Sequence, residues 1–333
     1  MESTGLEALR SLLPERKREL AVRLAMTGRP LDPGVFKKRG LCLSDAENAL
    51  TAHWQSSGLA TRIVNRVVST DGSVRLGVEL EDGQQVETVA MPIGAVCVSS
   101  QVGCAVRCRF CASGLFGVKR NLTRDEILEQ AVHARREMRI DRVVFMGMGE
   151  PTHNLENVLA AVALLKHDAL ISPTKQTLST VGSRKAFSRM AQAEVKPCLA
   201  LSLHAADPVL RRDLLPQAPE EDLVELVAAA DEYGRVTGMP VQYEWTLLAG
   251  VNDRDADVEG LCTLLKGTRG YVNFILWNPV EGMPFARPDR MRAVAMVRAI
   301  KSRGILATIR NSTGSDVDAA CGQLRRRALA TPE

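Results

Sequence analysis

Through roughly the first 55 residues, apolar positions recur at helical intervals, at Leu6, Leu9, Leu12 and Leu13 and again at Leu20, Val22 and Leu24. Pro30 and Pro33 interrupt that spacing. Three β-rich runs follow, at residues 61–68, 73–80 and 85–90, joined by Asp71-Gly72 and Asp82-Gly83. Asp-Gly pairs between such runs favour tight hairpins. Residues 1–92 are therefore expected to form an accessory module, helices followed by a small antiparallel meander.

From residue 95 the texture changes. Apolar strand-like runs alternate with amphipathic helical stretches: 95–99 and 124–139, 142–146 and 155–167, 176–181 and 183–193, then 198–203 and 223–237. The alternation continues with 241–247 and 256–266, 272–277 and 288–303, and ends in 305–309. Alternation at this spacing predicts a parallel sheet with right-handed crossovers. The expected class is α/β, a partial (β/α)6-type barrel over 93–324 with a basic tail at 325–333. In such a barrel chemistry collects at the C-terminal ends of the strands.

Composition adds constraints. The 333 residues are 45% hydrophobic and 25% charged, ordinary for a soluble globular protein. No apolar run has the length of a membrane span, and the charged N-terminus lacks a signal-peptide core. The expected location is the cytoplasm, with no membrane partner and with thiols kept reduced. A net charge of +4 does not by itself imply nucleic acid. Basic runs such as Arg16-Lys17-Arg18 and Arg325-Arg326-Arg327 read first as solvated faces, and Lys37-Lys38-Arg39 is a candidate phosphate contact.

Three of the eight cysteines crowd into Cys104-Ala-Val-Arg-Cys108-Arg-Phe-Cys111, directly after the first barrel strand. Soft thiolates select zinc or iron–sulfur clusters. A structural zinc site wants four closed ligands, and no second Cys-x-x-Cys pair exists here. A [4Fe–4S] cluster on Cys104, Cys108 and Cys111 would leave one iron open, the mark of a reactive centre. The Cys-x3-Cys-x2-Cys spacing at a barrel mouth matches the signature of radical S-adenosylmethionine (SAM) enzymes. There SAM occupies the open iron and is cleaved to methionine and a 5′-deoxyadenosyl radical. Later strand ends offer further polar atoms for SAM: Gly149 and Glu150, Ser179, Ser202-Leu203-His204, and Asn278. Glu150 is suited to an ammonium group, although a strand-end Ser or Asn more often caps a helix.

Longer stretches resemble the RlmN/Cfr family of radical SAM RNA methyltransferases. They are Cys97-Val-Ser-Ser-Gln-Val-Gly-Cys104, Phe145-Met-Gly-Met-Gly-Glu150-Pro151, Leu178-Ser-Thr180, Leu201-Ser-Leu-His204-Ala205, Gly250-Val-Asn-Asp253, Trp277-Asn-Pro279 and Asp316-Val-Asp-Ala-Ala-Cys321-Gly-Gln-Leu324. The resemblance spans about residue 85 to 324, and its last stretch is the most specific.

The resemblance implies methylation of an unactivated adenine carbon, C2 or C8, with two SAM molecules used per turnover. Cys321 takes a methyl from one SAM by displacement. The radical from the second removes hydrogen from that S-methyl, and the thiomethylene carbon adds to the base. Glu87, at the family position of the proton acceptor, removes the proton of the reacting carbon. Cys97 then attacks the Cys321 sulfur, and the resulting disulfide is reset by thiol exchange. Implied partners are 23S ribosomal RNA first and tRNA second, with a flavodoxin-type reductant. Cys42, Cys198 and Cys262 read as small apolar residues. Gly314 suits a mobile loop carrying Cys321.

Two departures bear on the substrate. Where typical C2-methylating members carry Thr-Arg-Gly, this chain has Ser312-Thr313-Gly314. The loop Cys111-Ala-Ser-Gly-Leu-Phe-Gly117 is closer to the C8-methylating branch. Alternatives are a radical SAM paralogue using the same chemistry on another RNA or a small molecule, and a non-catalytic, metal-stabilised RNA-binding protein.

Overall fold

The computed structural model describes residues 5–310 and 312–324. Four helices open the chain: α1 (Gly5–Leu12), α2 (Glu15–Met26), α3 (Pro33–Lys38) and α4 (Asp45–Ser57). Local chemistry sets their ends. Asp32 caps α3 ahead of Pro33, and Ser44 with Glu47 forms a capping box on α4. The meander follows as β1 (Arg62–Val68), β2 (Val74–Glu79) and β3 (Gln85–Met91), turning at the two Asp-Gly pairs.

Next come β4 (Ala95–Cys97), a short hairpin of β5 (Gln101–Gly103) and β6 (Val118–Asn121), and α5 (Arg124–Glu137). The repeating part then runs β7 (Arg142–Phe145), α6 (Leu155–His167), β8 (Gln176–Thr180), α7 (Arg184–Ala191) and β9 (Cys198–Ser202). It continues with α8 (Pro208–Leu214), α9 (Leu223–Thr237), β10 (Gln242–Leu247), α10 (Asp255–Leu264), β11 (Tyr271–Leu276), α11 (Arg290–Lys301) and β12 (Leu306–Arg310).

Ten strands make one sheet in the order β1-β2-β3-β4-β7-β8-β9-β10-β11-β12. From β4 onward every neighbour is parallel, which gives the expected six β/α units and a terminal strand. The meander is antiparallel, and β3 hydrogen-bonds directly to β4. The division expected at residue 92 is therefore a change of strand direction inside one continuous sheet. The β5–β6 hairpin, a separate two-stranded sheet, and the short helix α8 lie outside the alternation read from the sequence.

The register explains how the sheet serves a site. Side chains alternate across a strand, so paired positions share a face. Glu87 lies two residues from Val89, which pairs with Cys97. Ser202 pairs with Glu244, Glu244 with Asn273, and Ile275 with Arg310. One face thus carries Glu87, Cys97, Ser202, Glu244, Asn273 and Arg310. The intervening residues Val96, Val143, Leu178, Leu199, Leu201, Trp245, Val272 and Phe274 are all buried in the main core on the other face. Burying roughly eight such side chains outweighs any single polar contact here, at about 1.5–3 kcal/mol each.

Two joints tie the ends of the chain to this sheet. Buried Glu129 on α5 accepts hydrogen bonds from Leu6 N (3.1 Å), Thr61 N (2.8 Å) and Thr61 Oγ1 (2.8 Å). It thereby pins the N-terminal helices and the start of β1 to the barrel. At the other end, Gly314 N donates to Asp71 Oδ2 (2.7 Å), and Thr70 N donates to Asp316 Oδ2 (3.0 Å). The β1–β2 turn therefore holds the loop that follows β12, linking the two edges of the sheet. The basic tail 325–333 lies outside the described residues. Among the described residues, no helix is long and apolar enough to cross a membrane.

Candidate active site

The polar face opens at the strand C-termini into a cavity lined by the cysteine loop, the strand ends and the C-terminal loop. Cys104, Cys108 and Cys111 form one wall, with Phe110 between them. Gly149, Glu150, Ser179, Ser202 and His204 come from strand ends, and Cys321 enters on the C-terminal loop.

The cysteine loop is clamped from several sides. Trp277 Nε1 donates to Phe110 O (2.9 Å), Cys104 N to Gly117 O (3.2 Å), and Ala112 N to Gly322 O (2.7 Å). Burial pushes the Cys104 thiol up to about 12 and raises Cys108 and Cys111, with mutual repulsion among the three adding to the shift at Cys104 and Cys108. Three free, soft thiols crowded on one wall are a donor set that suits an iron–sulfur cluster. Among the described residues no three metal-ligating side chains are grouped closely enough for a single ion. A cluster bonds each thiolate to a different iron and does not need that grouping.

The strand-end residues differ in availability. Gly149 has φ +101°, and a Cβ there would meet Gln101 N at 2.7 Å, so glycine is required. Glu150 is buried, and its carboxylate accepts from Thr152 N (3.0 Å), Thr152 Oγ1 (2.7 Å) and Val181 N (3.0 Å). Only part of its acceptor capacity is left for an ammonium. Ser179 and Ser202 hydroxyls touch at 3.2 Å.

His204 takes a left-handed backbone (φ +61°), and its Nδ1 accepts from Thr246 N at 3.0 Å. Its Nε2 therefore carries the hydrogen. Burial, reinforced by Arg211, pushes its pKa down to about 3. Leu203 is wholly buried in the main core and does not line the cavity. Asn278 is also absent from the cavity wall: its Nδ2 donates to Cys321 O (3.1 Å) and Ser312 Oγ (3.1 Å), while its buried Oδ1 has no hydrogen-bond partner among the described residues. In this structure it ties down the Cys321 loop.

That loop is docked. Besides Asn278, Gln323 Nε2 donates to Pro279 O (3.0 Å) and Ser113 Oγ to Leu324 O (2.6 Å). Cys97 ends β4, buried on the polar face, and its thiol is pushed up to about 12 by burial and then by Cys321, with Arg310 opposing. Cys97 and Cys321 thus lie within electrostatic reach of each other. Glu87 forms a buried ion pair with Arg75 and does not line the cavity. Of the remaining thiols, Cys42 is exposed, contrary to its reading as a small apolar residue, and Cys198 and Cys262 are half-buried.

Sequence reasoning missed Glu244 and Arg310, which line the cavity, and the polar network that holds Glu244. Asn273 Nδ2 donates to both oxygens of Glu244 (3.1 and 3.0 Å), and Thr308 Oγ1 donates to Asn273 Oδ1 (3.1 Å). Burial raises the Glu244 pKa, and Arg310 pulls it back. Arg310 is half-buried with Nη1 on Met146 Sδ (3.1 Å), and its charge is reinforced first by Cys321. The signal was available: Gln242-Tyr-Glu-Trp-Thr-Leu247 alternates polar and apolar, marking Glu244 as lumenal.

A profile of the Radical SAM superfamily matches residues 98–261. A probable RNA methyltransferase of Aromatoleum aromaticum is 47% identical, covering 91% of this chain and 85% of that one. Another, of Bordetella avium, is 48% identical, covering 93% and 89%. The crystal structure of a radical SAM methyltransferase from Sphaerobacter thermophilus superposes with a TM-score of 0.85 at 35% identity, covering 98% of both chains.

Proposed function

The chain belongs to the RlmN/Cfr family of radical SAM methyltransferases, and from that premise we propose that it methylates C2 or C8 of an adenine in RNA, 23S ribosomal RNA before tRNA. The observation that carries this reading is the delivery of Cys321 into the cavity walled by Cys104, Cys108 and Cys111, within electrostatic reach of Cys97. An adenine C2 or C8 has no lone pair with which to attack a sulfonium methyl, so a second thiol system beside the cluster has a chemical purpose.

When bound, the [4Fe–4S] cluster on Cys104, Cys108 and Cys111 supplies the electron that cleaves SAM. The chain's own residues do the rest. Gly149 admits close backbone approach, and Glu150, Ser179, Ser202 and His204 orient the ligand with one carboxylate, two hydroxyls and an N–H donor. The Cys321 thiolate attacks the methyl carbon of one SAM, forming a C–S bond while that carbon's bond to the sulfonium breaks and S-adenosylhomocysteine leaves. That carbon, having given up a hydrogen atom to the 5′-deoxyadenosyl radical of the second SAM, bonds to the base, and Glu87 takes the proton from the reacting position. Glu87 reaches that role from the Arg75 ion pair, on the same sheet face as Cys97. Cys97, as thiolate, attacks the Cys321 sulfur; the sulfur–carbon bond breaks, the released carbon takes up a proton and the surplus electron returns to the centre that supplied it, leaving the methylated base and a Cys97–Cys321 disulfide. External thiols and a flavodoxin-type reductant restore the enzyme.

Mass spectrometry of the purified protein, with nucleosides from a strain lacking it, tests the reading. A methyl group on the Cys321 peptide and loss of one methyladenosine from that strain's RNA are expected. A Cys321→Ala protein that still methylates RNA would sink it, and product retention time separates C2 from C8.

A further inference from the structure

The cavity wall carries two charged side chains that the chemistry above leaves without a task, Glu244 and Arg310. Both are placed by register. Ser202, Glu244, Asn273 and Thr308 pair in one row across β9 to β12, and Arg310 stands one pleat further along the same face. Glu244 is buried, and Asn273 Nδ2 donates to both its oxygens, at 3.1 and 3.0 Å. Asn273 does not turn its carbonyl toward Glu244, because Thr308 Oγ1 donates to Asn273 Oδ1 at 3.1 Å. The carboxylate is therefore fixed as an acceptor, with lone pairs to spare in a cavity wall.

Arg310 is the complementary group. Its Nη1 meets the weak acceptor Met146 Sδ at 3.1 Å, and among the described residues no carboxylate lies within ion-pair distance of its guanidinium. Most of its N–H donors are therefore unspent. Glu244 and Arg310 sense each other's charge without closing on each other. Charges taken out of water and held apart in this way cost desolvation that no direct contact between them offsets. Ile275 and Met146 line the same cavity and give apolar surface for a flat ring. A fixed acceptor and an open donor beside apolar surface match one edge of a 6-aminopurine. On that edge the amino group donates and the neighbouring ring nitrogen accepts.

We propose that Glu244 and Arg310 read the target adenine, Glu244 accepting from its amino group and Arg310 donating to the ring nitrogen beside that group. This rests on the RNA reading above and deepens it, by assigning the residues that select adenine over guanine and uracil. SAM carries the same 6-aminopurine, so the two sources must be told apart. Arg310 shares the cavity wall with Cys321, the residue that hands its carbon to the base, which favours the RNA base.

The test is fluorescence anisotropy of the cluster-loaded full chain with labelled oligouridylate pentamers that differ only at the central residue. Saturating S-adenosylhomocysteine fills the SAM site throughout. The central residues are adenosine, purine riboside, 1-deazaadenosine and 7-deazaadenosine. Purine riboside, which lacks the amino group, should bind the parent about tenfold more weakly than adenosine. One of the two deaza probes should lose about as much, and which one identifies the edge that is read. Glu244→Met should bind adenosine and purine riboside within about twofold of each other, and Arg310→Met should lose the deaza penalty. These ratios compare probes within one protein, so a general loss of stability does not move them. Should Glu244→Met fail to fold, Glu244→Gln, which swaps one acceptor for a donor and keeps Asn273 paired, should still lower the purine riboside ratio. Equal binding of all four probes by the parent overturns the pair while leaving the RNA reading standing. A tenfold loss of S-adenosylhomocysteine affinity in the Glu244 variant, by calorimetry, with base discrimination intact, assigns the edge to SAM and also overturns it. If the parent binds none of the probes, the RNA reading falls and the pair with it.

Discussion

Cys104, Cys108 and Cys111 line the cavity from one loop, whereas Cys321 enters it from beyond the last strand and Cys97 ends the first parallel strand, buried and outside the cavity lining. The first group is held by its own turn and by neighbours that press on it. The second exists only because β1 to β12 form one sheet and because the loop after β12 is bonded to the β1–β2 turn, to Asn278 and to the cysteine loop itself. A locally encoded site withstands small distortions of the barrel. An assembled one depends on every joint between its ends, and the two should fail separately.

The largest expected effect separates them outright. Replacing any one of Cys104, Cys108 or Cys111 with Ala should abolish stable iron binding, measured by iron and sulfide analysis. Cys321→Ala should retain full iron and reductive SAM cleavage while giving no methylated product. Iron lost from Cys321→Ala would show that the groups are one site. Cys97→Ala should next allow methylation of Cys321 but leave enzyme and RNA covalently joined, visible as a slow band on a denaturing gel. Free methylated product from that variant removes Cys97 from the release step.

A smaller effect probes the joint between strand end and cysteine loop. Gly149→Ala introduces a Cβ 2.7 Å from Gln101 N at φ +101°. It should cost about 2–4 kcal/mol by urea titration, from backbone strain and overpacking together. A loss below half a kcal/mol would mean that the loop relaxes freely. Arg310→Gln should then slow iodoacetamide labelling of the Cys97 peptide roughly tenfold, because Arg310 opposes the rise that burial imposes on that thiol. Arg310→Lys should lie between. Labelling of exposed Cys42 is the internal control, and equal slowing at both cysteines counts against a local role for Arg310.

The smallest effect is distributed. His204 and His133 are pushed down to about 3 and about 4 by burial, below their ordinary 6.5. The unfolded chain therefore binds protons below pH 6.5 that the fold does not. Stability is fully present above that pH and should fall as pH drops toward 4, by up to about 1.4 kcal/mol per pH unit for each histidine. Urea midpoints at pH 7, 6 and 5 check the sign, and a flat series contradicts it.

Most of the architecture was legible before any coordinates. The seven parallel strands and the meander follow apolar runs and Asp-Gly turns, because a strand buried on its helix-facing side must be apolar at alternate positions. The β5–β6 hairpin escaped detection because its strands are only three and four residues long and lean on glycine geometry, with little hydrophobic pattern. Glu244 and Arg310 were visible only as polar members of an alternation. The exposure of Cys42 and the core placement of Leu203 depend on what packs around them, which spacing does not record.

By itself the sequence determined the element order and the cysteine loop, and through resemblance it singled out Cys97 and Cys321 as the two thiols expected to act together. Each of these rests on residues close in the chain or on motifs that remain intact when read linearly. Only the tertiary structure decided that the meander continues the barrel sheet, that Glu87 is paired with Arg75, and that Arg310 shares a cavity wall with Cys321. These are matters of register and of long-range hydrogen bonding, where a one-residue shift turns a lumenal side chain toward the helices. Local pattern constrains a strand's existence far more tightly than it constrains what that strand faces.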